Sequence, residues 1–359
     1  MPGKQRGGSR SRQVEVISPA PRQVWSDLLD RDELALATQT PAWLDSLCDA
    51  WPLKDASRLY RFPGGRRLLM PMVRRRGGLG QLLAVESWPG WGVGGVVAPD
   101  DPLDTQQARL VLTDLRALPA LRVAVRFNPR APSVGENALP PGFVARERTT
   151  YLLDLSGGFD AVWSHSFLST VRQGVRRAER MAVEVTVDRT GRLVPQFQEL
   201  YRESVARWAE QQHEPLALAR RRQLHREPPR LVQAVAERFG ASCAVWLASC
   251  AGQPAAAIVV LRHGTHAKYW RGAMDRRLAG PVHANELLHR LAVEDACAAG
   301  CLVYDMGDAE PGSSLARFKE NFGARAVPSP AYYRERLPLT AADRHLRAAV
   351  KRVIGFKDA

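Results

Sequence analysis

Lysine is scarce in this chain: only six of its 51 basic residues are lysine, and the rest are arginine. Long apolar runs are missing too. None approaches the ~20 residues that a membrane-spanning helix needs. The first residues also lack the apolar segment of a secretory signal. These absences point to a cytoplasmic protein with no membrane span. Cysteine is sparse and odd in number, with Cys48, Cys243, Cys250, Cys297 and Cys301 and no C-x-x-C pair among them. That excludes a disulfide framework and argues against a metal site, so the cysteines read as buried free thiols.

What is present is positive charge, a formal +14. Residues 1–12 carry Lys4, Arg6, Arg10 and Arg12 with no acid, and residues 334–359 carry seven basic and three acidic side chains. Over half of the excess therefore sits at the two ends. Planar guanidinium forks suit phosphate and carboxylate, which points to a polyanionic partner such as a nucleotide cofactor or RNA. Solubility and codon usage account for the excess equally well, because net charge speaks to association and not to fold. A chain of 359 residues is long enough for two domains.

The most informative stretch is 242–323. Apolar runs from Cys243 to Ser249, Ala255 to Leu261 and Lys268 to Ala273 are separated by short turn signals and read as an antiparallel meander. A polar loop with Gly and Pro follows Met274. An amphipathic helix, about Asn285 to Ala299, then stops at Gly300, and a strand resumes at 301–305. Strand, loop, helix and parallel strand form a crossover whose mouth is where such sheets hold ligands.

Around this unit the chain alternates in the same way. Thr40-Pro41 opens a helix, and a hairpin turns across Pro63-Gly64-Gly65. A Gly-rich loop fills 87–95, a helix spans Gln106 to Leu118, and a strand covers Ala120 to Phe127. Helix, hairpin, strand, loop, helix and strand repeat the order of the central stretch. The fold class is thus mixed α/β: two copies of one fold, each a mostly antiparallel mixed sheet with helices on both faces. The boundaries are a basic tail over 1–12, an N-terminal domain over 13–145, a C-terminal domain over 146–338 with its last strand at Tyr332–Leu337, and a basic helix within 339–359.

Several residues could carry chemistry at the mouth. Arg271 ends the strand entering the crossover, as a phosphate or carboxylate clamp or as a solvent-facing side chain. Asp305 closes the returning strand, as a base, an amine anchor or a turn cap. His283 and Asn285 open the helix, where free N–H groups attract anions, though Asn285 also suits an N-cap. His283 is either the histidine of the mouth or an ordinary surface loop residue. Tyr304 alternates with Asp305. Arg172, Arg176 and Arg177 line one helix and could track phosphates or lie solvated.

The ordered set of an R-x-x-x-R-R-A-E-R helix, a strand ending Tyr269-Trp-Arg-Gly-Ala273, a Pro281 loop, Tyr304-Asp305-Met306-Gly307 and Phe318-Lys319-Glu-Asn-Phe322-Gly323 resembles the GNAT superfamily. Within it, the set resembles Fem-type aminoacyltransferases and the group linked to cellulose-biosynthesis acyltransferases. The resemblance is good over 146–336 and faint over 14–127. It implies two tandem GNAT-like folds and transfer of an acyl or aminoacyl group to an amine, with acyl-CoA or aminoacyl-tRNA as co-substrate. It also implies that Lys319 of the Phe-Lys-x-x-Phe pattern is a phosphate or acyl-intermediate ligand, and that Tyr269 lies at the donor site. One departure stands out: Leu278–Asn285 replaces the usual Gly-rich donor loop. Fem-type members lack that loop too, which leans the expectation toward an aminoacyl-tRNA donor, with tRNA as a partner, or toward a relaxed CoA site. The alternative is a non-catalytic RNA-binding or scaffold protein with a degenerate GNAT fold.

Overall fold

The structure is a computed structural model that describes residues 14–87 and 92–356. The basic tail over 1–12, the centre of the Gly-rich loop and the last three residues lie outside the described residues. The first half runs β1 (Glu15–Ile17), α1 (Arg22–Arg31), α2 (Pro41–Ala50), β2 (Leu53–Asp55), β3 (Arg58–Arg61) and β4 (Arg67–Met70). It continues through β5 (Val73–Arg75), β6 (Ala84–Glu86), α3 (Thr105–Ala117), β7 (Arg122–Arg126) and β8 (Phe143–Arg146).

The second half begins with β9 (Thr149–Asp154), α4 (Gly158–Ala161), α5 (Ser169–Arg180), β10 (Glu184–Asp188), α6 (Val194–Gln211), α7 (Leu216–Arg226) and α8 (Pro229–Phe239). The meander β11 (Cys243–Cys250), β12 (Gln253–His263) and β13 (His266–Met274) follows, then α9 (Arg276–Val282), α10 (Ala284–Ala298) and β14 (Val303–Asp308). The chain ends with α11 (Ser314–Asn321), β15 (Arg325–Pro328), β16 (Ala331–Glu335) and α12 (Leu339–Ile354).

Local chemistry explains the boundaries. The Thr40 hydroxyl accepts the Trp43 N–H and Pro41 takes the first helical position, so α2 starts where its missing N–H costs nothing. Asp104 and Gln107 cap α3 reciprocally. Gly300 follows α10 at φ +78°, the left-handed step that ends the helix.

The second-half sheet has the order β10-β11-β12-β13-β14-β9-β15, antiparallel throughout except between β13 and β14. The other large sheet, β2-β5-β6-β7-β16-β8, repeats the motif with a single parallel pair, β6 and β7. Each sheet is thus mixed and mostly antiparallel, with its crossover at a matching place. One face of the larger sheet buries Ile258, Val260, Ala267 and Tyr304 under α5 and α10. The opposite face buries Val259, Leu261 and Trp270 under α6 and α8, and under α1 and α2 of the first half. There Trp43 meets Trp270 edge-on at 5.4 Å. The two halves therefore share one continuous core.

Three expectations need correcting. The last strand was expected within a C-terminal domain over 146–338, yet β16 inserts between β7 and β8 of the first-half sheet. Its Tyr332 fills that sheet's core and its Tyr333 stacks under Arg122 and Arg146. The segment after Met274, expected as a loop, winds into α9 because Asp275 caps it by accepting the Arg277 N–H. The polar stretch 213–227, whose composition reads as mobile, contains α7.

Candidate active site

β13 and β14 pair in parallel over only three positions: His266 with Val303, Ala267 with Tyr304, and Lys268 with Asp305. Beyond them β13 follows β12 and skips register at Trp270, while β14 follows β9 and skips at Met306. Bulges on both strands bend them toward different neighbours, and the pair opens toward its C-terminal ends. The mouth expected from the sequence is this opening. The expected site residues divide between its two faces and its rim.

On the α10 side, α11 delivers Lys319 to the opening. Its Nζ donates to the carbonyls of Gly307 at 2.9 Å and Asp308 at 2.6 Å and lies 5.6 Å from the centre of the Tyr151 ring. An ammonium has three N–H groups, and the third has no partner among the described residues. Lys319 is 2% exposed, and burial lowers its pKa to about 8 against the pull of Asp305 and Asp308. Gly307 sits at φ +76° in the β14 bulge, which turns its carbonyl toward the ammonium.

Next to Lys319, His289 of α10 packs edge-on against Tyr269 at 4.6 Å and Phe318 at 5.5 Å, and at a tilt against Phe322 at 5.3 Å. Its Nδ1 lies 3.3 Å from the Tyr304 hydroxyl. Burial and then the Lys319 charge lower its pKa to about 3, so it is a neutral imidazole. Burial raises the Tyr269 phenol to about 12. Its hydroxyl lies where a side chain on Gly272 would have to go, so Gly272 makes room for it.

On the opposite face the expected chemistry is neutralised. Asp305 is 1% exposed and accepts from Lys268 Nζ at 2.7 Å and from the Gly307 N–H at 2.7 Å. Burial opposes its charge, yet Lys268 and His266 hold its carboxyl well below the usual range. His266 Nδ1 accepts the Ala37 N–H, which puts the proton on Nε2, 3.5 Å from Asp305. A carboxylate paired in this way is poorly placed to accept a proton; Asp305 ties β13 to β14, and His266 beside it reaches Ala37 of the first half.

Arg271 shares that face but is committed elsewhere. Its Nε donates to Glu227 at 2.7 Å and its guanidinium lies over the Trp270 ring. It is not an open phosphate clamp. Arg126 of β7 closes the same region with a two-pronged bond to Asp308, both prongs at 2.7 Å, and with Thr150.

Around the rim, His283 adopts φ +55°, packs against Gly174 of α5 and lies 3.0 Å from Glu286. Asn285 does not cap α10; its amide donates to the Met274 sulfur. Arg172 caps the turn over Val162–Ser166, donating to the carbonyls of Trp163, Ser164 and Phe167. That role makes it structural and removes it from the substrate-binding set. Arg176 and Arg177 are exposed, as are Arg180 and, on the neighbouring α9, Arg276 and Arg277, and none has an ion pair among the described residues. A cavity of about 520 Å³ opens at the end of β13, lined by Glu203, Arg207, Glu210, Glu214, Asp275 and Arg276 among others. Among the described residues, no three His, Cys, Asp or Glu side chains are grouped to hold a metal.

The comparisons now have a geometry to meet. Residues 165–320 match the family model for the acetyltransferase (GNAT) domain. No curated protein matches the sequence. Among solved structures, FemX is similar over 89% of this chain and 97% of its own, with a TM-score of 0.65 and 12% identity. The C-terminal domain of a putative lysylphosphatidylglycerol synthetase from Agrobacterium fabrum gives 0.51 and 15%, covering 91% and 96%. A tandem GNAT protein from the clavulanic acid biosynthesis pathway gives 0.50 and 12%, covering 89% and 98%. At such identities the likeness is one of fold. Two GNAT-like folds in tandem, arranged as in FemX, describe this chain.

The mouth of the GNAT domain also holds groups that the sequence reading missed. His289 lies in the buried stripe of α10 between Leu288 and Ala292, and one polar residue in an apolar stripe was its only signal. Lys268 carried the same scarcity signal as Lys319, but strand alternation alone does not show that it pairs with Asp305 across a parallel ladder. Glu227 gave no signal, because its partner Arg271 is distant in sequence.

Proposed function

We propose that this protein is an N-acyltransferase that uses a phosphate-bearing activated donor. The carrying observation is Lys319, a buried ammonium at the opening between β13 and β14 with one N–H uncommitted. A donor carbonyl laid into the opening would receive that N–H as its oxygen gains charge during attack by an amine. A positioned charged donor in a dry site stabilises such an oxyanion strongly. The aromatic wall of Tyr269, His289 and Phe318 excludes water and holds the acyl group in place.

Among the described residues, no carboxylate inside the β13–β14 opening is free to take the amine's proton; those of the cavity at the end of β13 serve to hold the acceptor. Asp305 is paired, and His289 is a buried neutral ring. The acceptor therefore attacks as the free amine, and its proton leaves with the departing donor group or to solvent. The cavity beside β13 carries Glu203, Glu210 and Asp275 for an amine-bearing acceptor, alongside Arg207, Arg276 and Arg277 on the same wall, while its Glu214 is paired with Arg222.

For the donor, aminoacyl-tRNA is the better fit. Five exposed arginines on α5 and α9 offer more cationic surface than one pyrophosphate needs, and α9 occupies the segment where a Gly-rich loop would present backbone amides. The test is a panel of amines incubated with charged tRNA or with acyl-CoA. Product from charged tRNA supports the full reading, and its KM should rise in Arg176→Gln/Arg177→Gln with kcat unchanged. Product from acyl-CoA alone refutes the donor assignment, and no product from either refutes the transferase.

A further inference from the structure

The C-terminal helix α12 packs almost nothing against the rest of the protein. Leu346, Val350 and Val353 are 66%, 40% and 86% exposed, and Leu337, just before the helix, is 52% exposed. Leu346, Val350 and Val353 are spaced i, i+4 and i+7, so with Ala342 and Ala349 they form one apolar stripe. Arg344, Arg347, Lys351 and Arg352 lie on the flanks and back of the same helix, against the single acid Asp343. A long exposed apolar row is unusual on a soluble surface and needs a cover.

We propose that α12 is an interfacial helix that seats this protein on an anionic lipid bilayer. The charge pattern selects this occupant. Apolar side chains enter the headgroup boundary while the long side chains of the flanking Arg347 and Arg352 reach lipid phosphates and Arg344 and Lys351 add long-range attraction from the back. A second copy is a poorer cover, because three aliphatic side chains on one 16-residue helix fall far short of the roughly 1,200 Å² that a stable interface buries. RNA is poorer too, because it would leave the apolar row uncovered. The helix is about 24 Å long at 1.5 Å per residue, too short for the ~30 Å hydrocarbon core. No helix among the described residues is long and apolar enough to cross a membrane, so α12 lies on the surface.

The neighbouring surface agrees. α7 is basic as well, with Arg220, Arg221, Arg222 and Arg226. α7 carries its own exposed Leu224 and Leu218. The two helices together present a basic surface with apolar residues in it.

The experiment is co-sedimentation of the full chain with phosphatidylcholine vesicles, with and without phosphatidylglycerol. Two variants accompany the parent: Leu346→Glu/Val353→Glu, and Arg344→Gln/Arg347→Gln/Lys351→Gln/Arg352→Gln. Each basic residue near an anionic surface is worth about fivefold in binding, or about 1 kcal/mol. The parent should bind the anionic vesicles at least tenfold better than the neutral ones. The glutamate variant should lose binding to both, and the glutamine variant should lose about a hundredfold or more on anionic vesicles. The altered side chains are exposed, so both variants should keep the parent's melting temperature. Equal binding of parent and glutamate variant would overturn the proposal. So would a parent dimer that the glutamate variant breaks, or tRNA binding lost only in the glutamine variant without any vesicle binding.

Discussion

Replacing Lys319 with methionine separates catalysis from stability. Methionine keeps the volume and removes the charge. The gap between the ordinary lysine pKa of 10.5 and about 8 means that holding this ammonium charged costs the fold roughly 3 kcal/mol below pH 8. Against this relief, the carbonyls of Gly307 and Asp308 lose their donor at about 1–3 kcal/mol each. The two effects nearly cancel, and the net loss of stability should stay under about 3 kcal/mol.

The pH dependence has a definite sign. Between about 8 and 10.5 the unfolded chain holds a proton that the folded chain has released. Stability therefore rises with pH through that window, and the rise belongs to Lys319. Urea unfolding near neutral pH and at about pH 10 should show the parent gaining roughly 3 kcal/mol that the methionine variant does not gain. In steady-state assays with the working donor, kcat should fall by about 10²–10³ while KM changes little. In the parent, activity should decline above about pH 8 as the ammonium is lost. A variant with kcat within about threefold of the parent would refute the oxyanion role.

Two further predictions follow from the same mouth. Lys268→Met strands a buried carboxylate on Asp305 and should cost about 3–5 kcal/mol in chemical denaturation, while Lys268→Met/Asp305→Leu should recover most of it; equal losses in the single and double variants would sink the pairing. The pKa values of His266 and His289, about 4 and about 3, lie below the ordinary 6.5, so the unfolded chain binds protons that the folded chain refuses as pH falls below 6.5. Stability should then drop by about 1.4 kcal/mol per pH unit for each ring, and His289→Phe should remove one ring's share of the slope.

Most of the larger sheet was legible in the sequence. The meander, the helix ending at Gly300 and the parallel return at 303–305 depend on local signals: periodicity, turn residues and a left-handed stop. The site was less legible because its chemistry is set by pairing across distance. Arg271 and Asp305 are held by Glu227 and Lys268, and no local pattern reveals a partner 44 or 37 residues away. Lys319 was legible because lysine is so scarce here. The strand β16 was misplaced because its alternating residues fit either sheet, and only the gap between β7 and β8 decided between them.

The insertion of β16 between β7 and β8 has a consequence for how this protein is made. Among the described residues β8 joins its sheet only through β16, so the first sheet stays incomplete until Ala331–Glu335 have left the ribosome. The first half cannot finish folding ahead of the second, and a fragment cut at the apparent midpoint would expose two unpaired edges. Synthesis must hold an open sheet in waiting while the GNAT domain is built, and closure arrives only with the last strand.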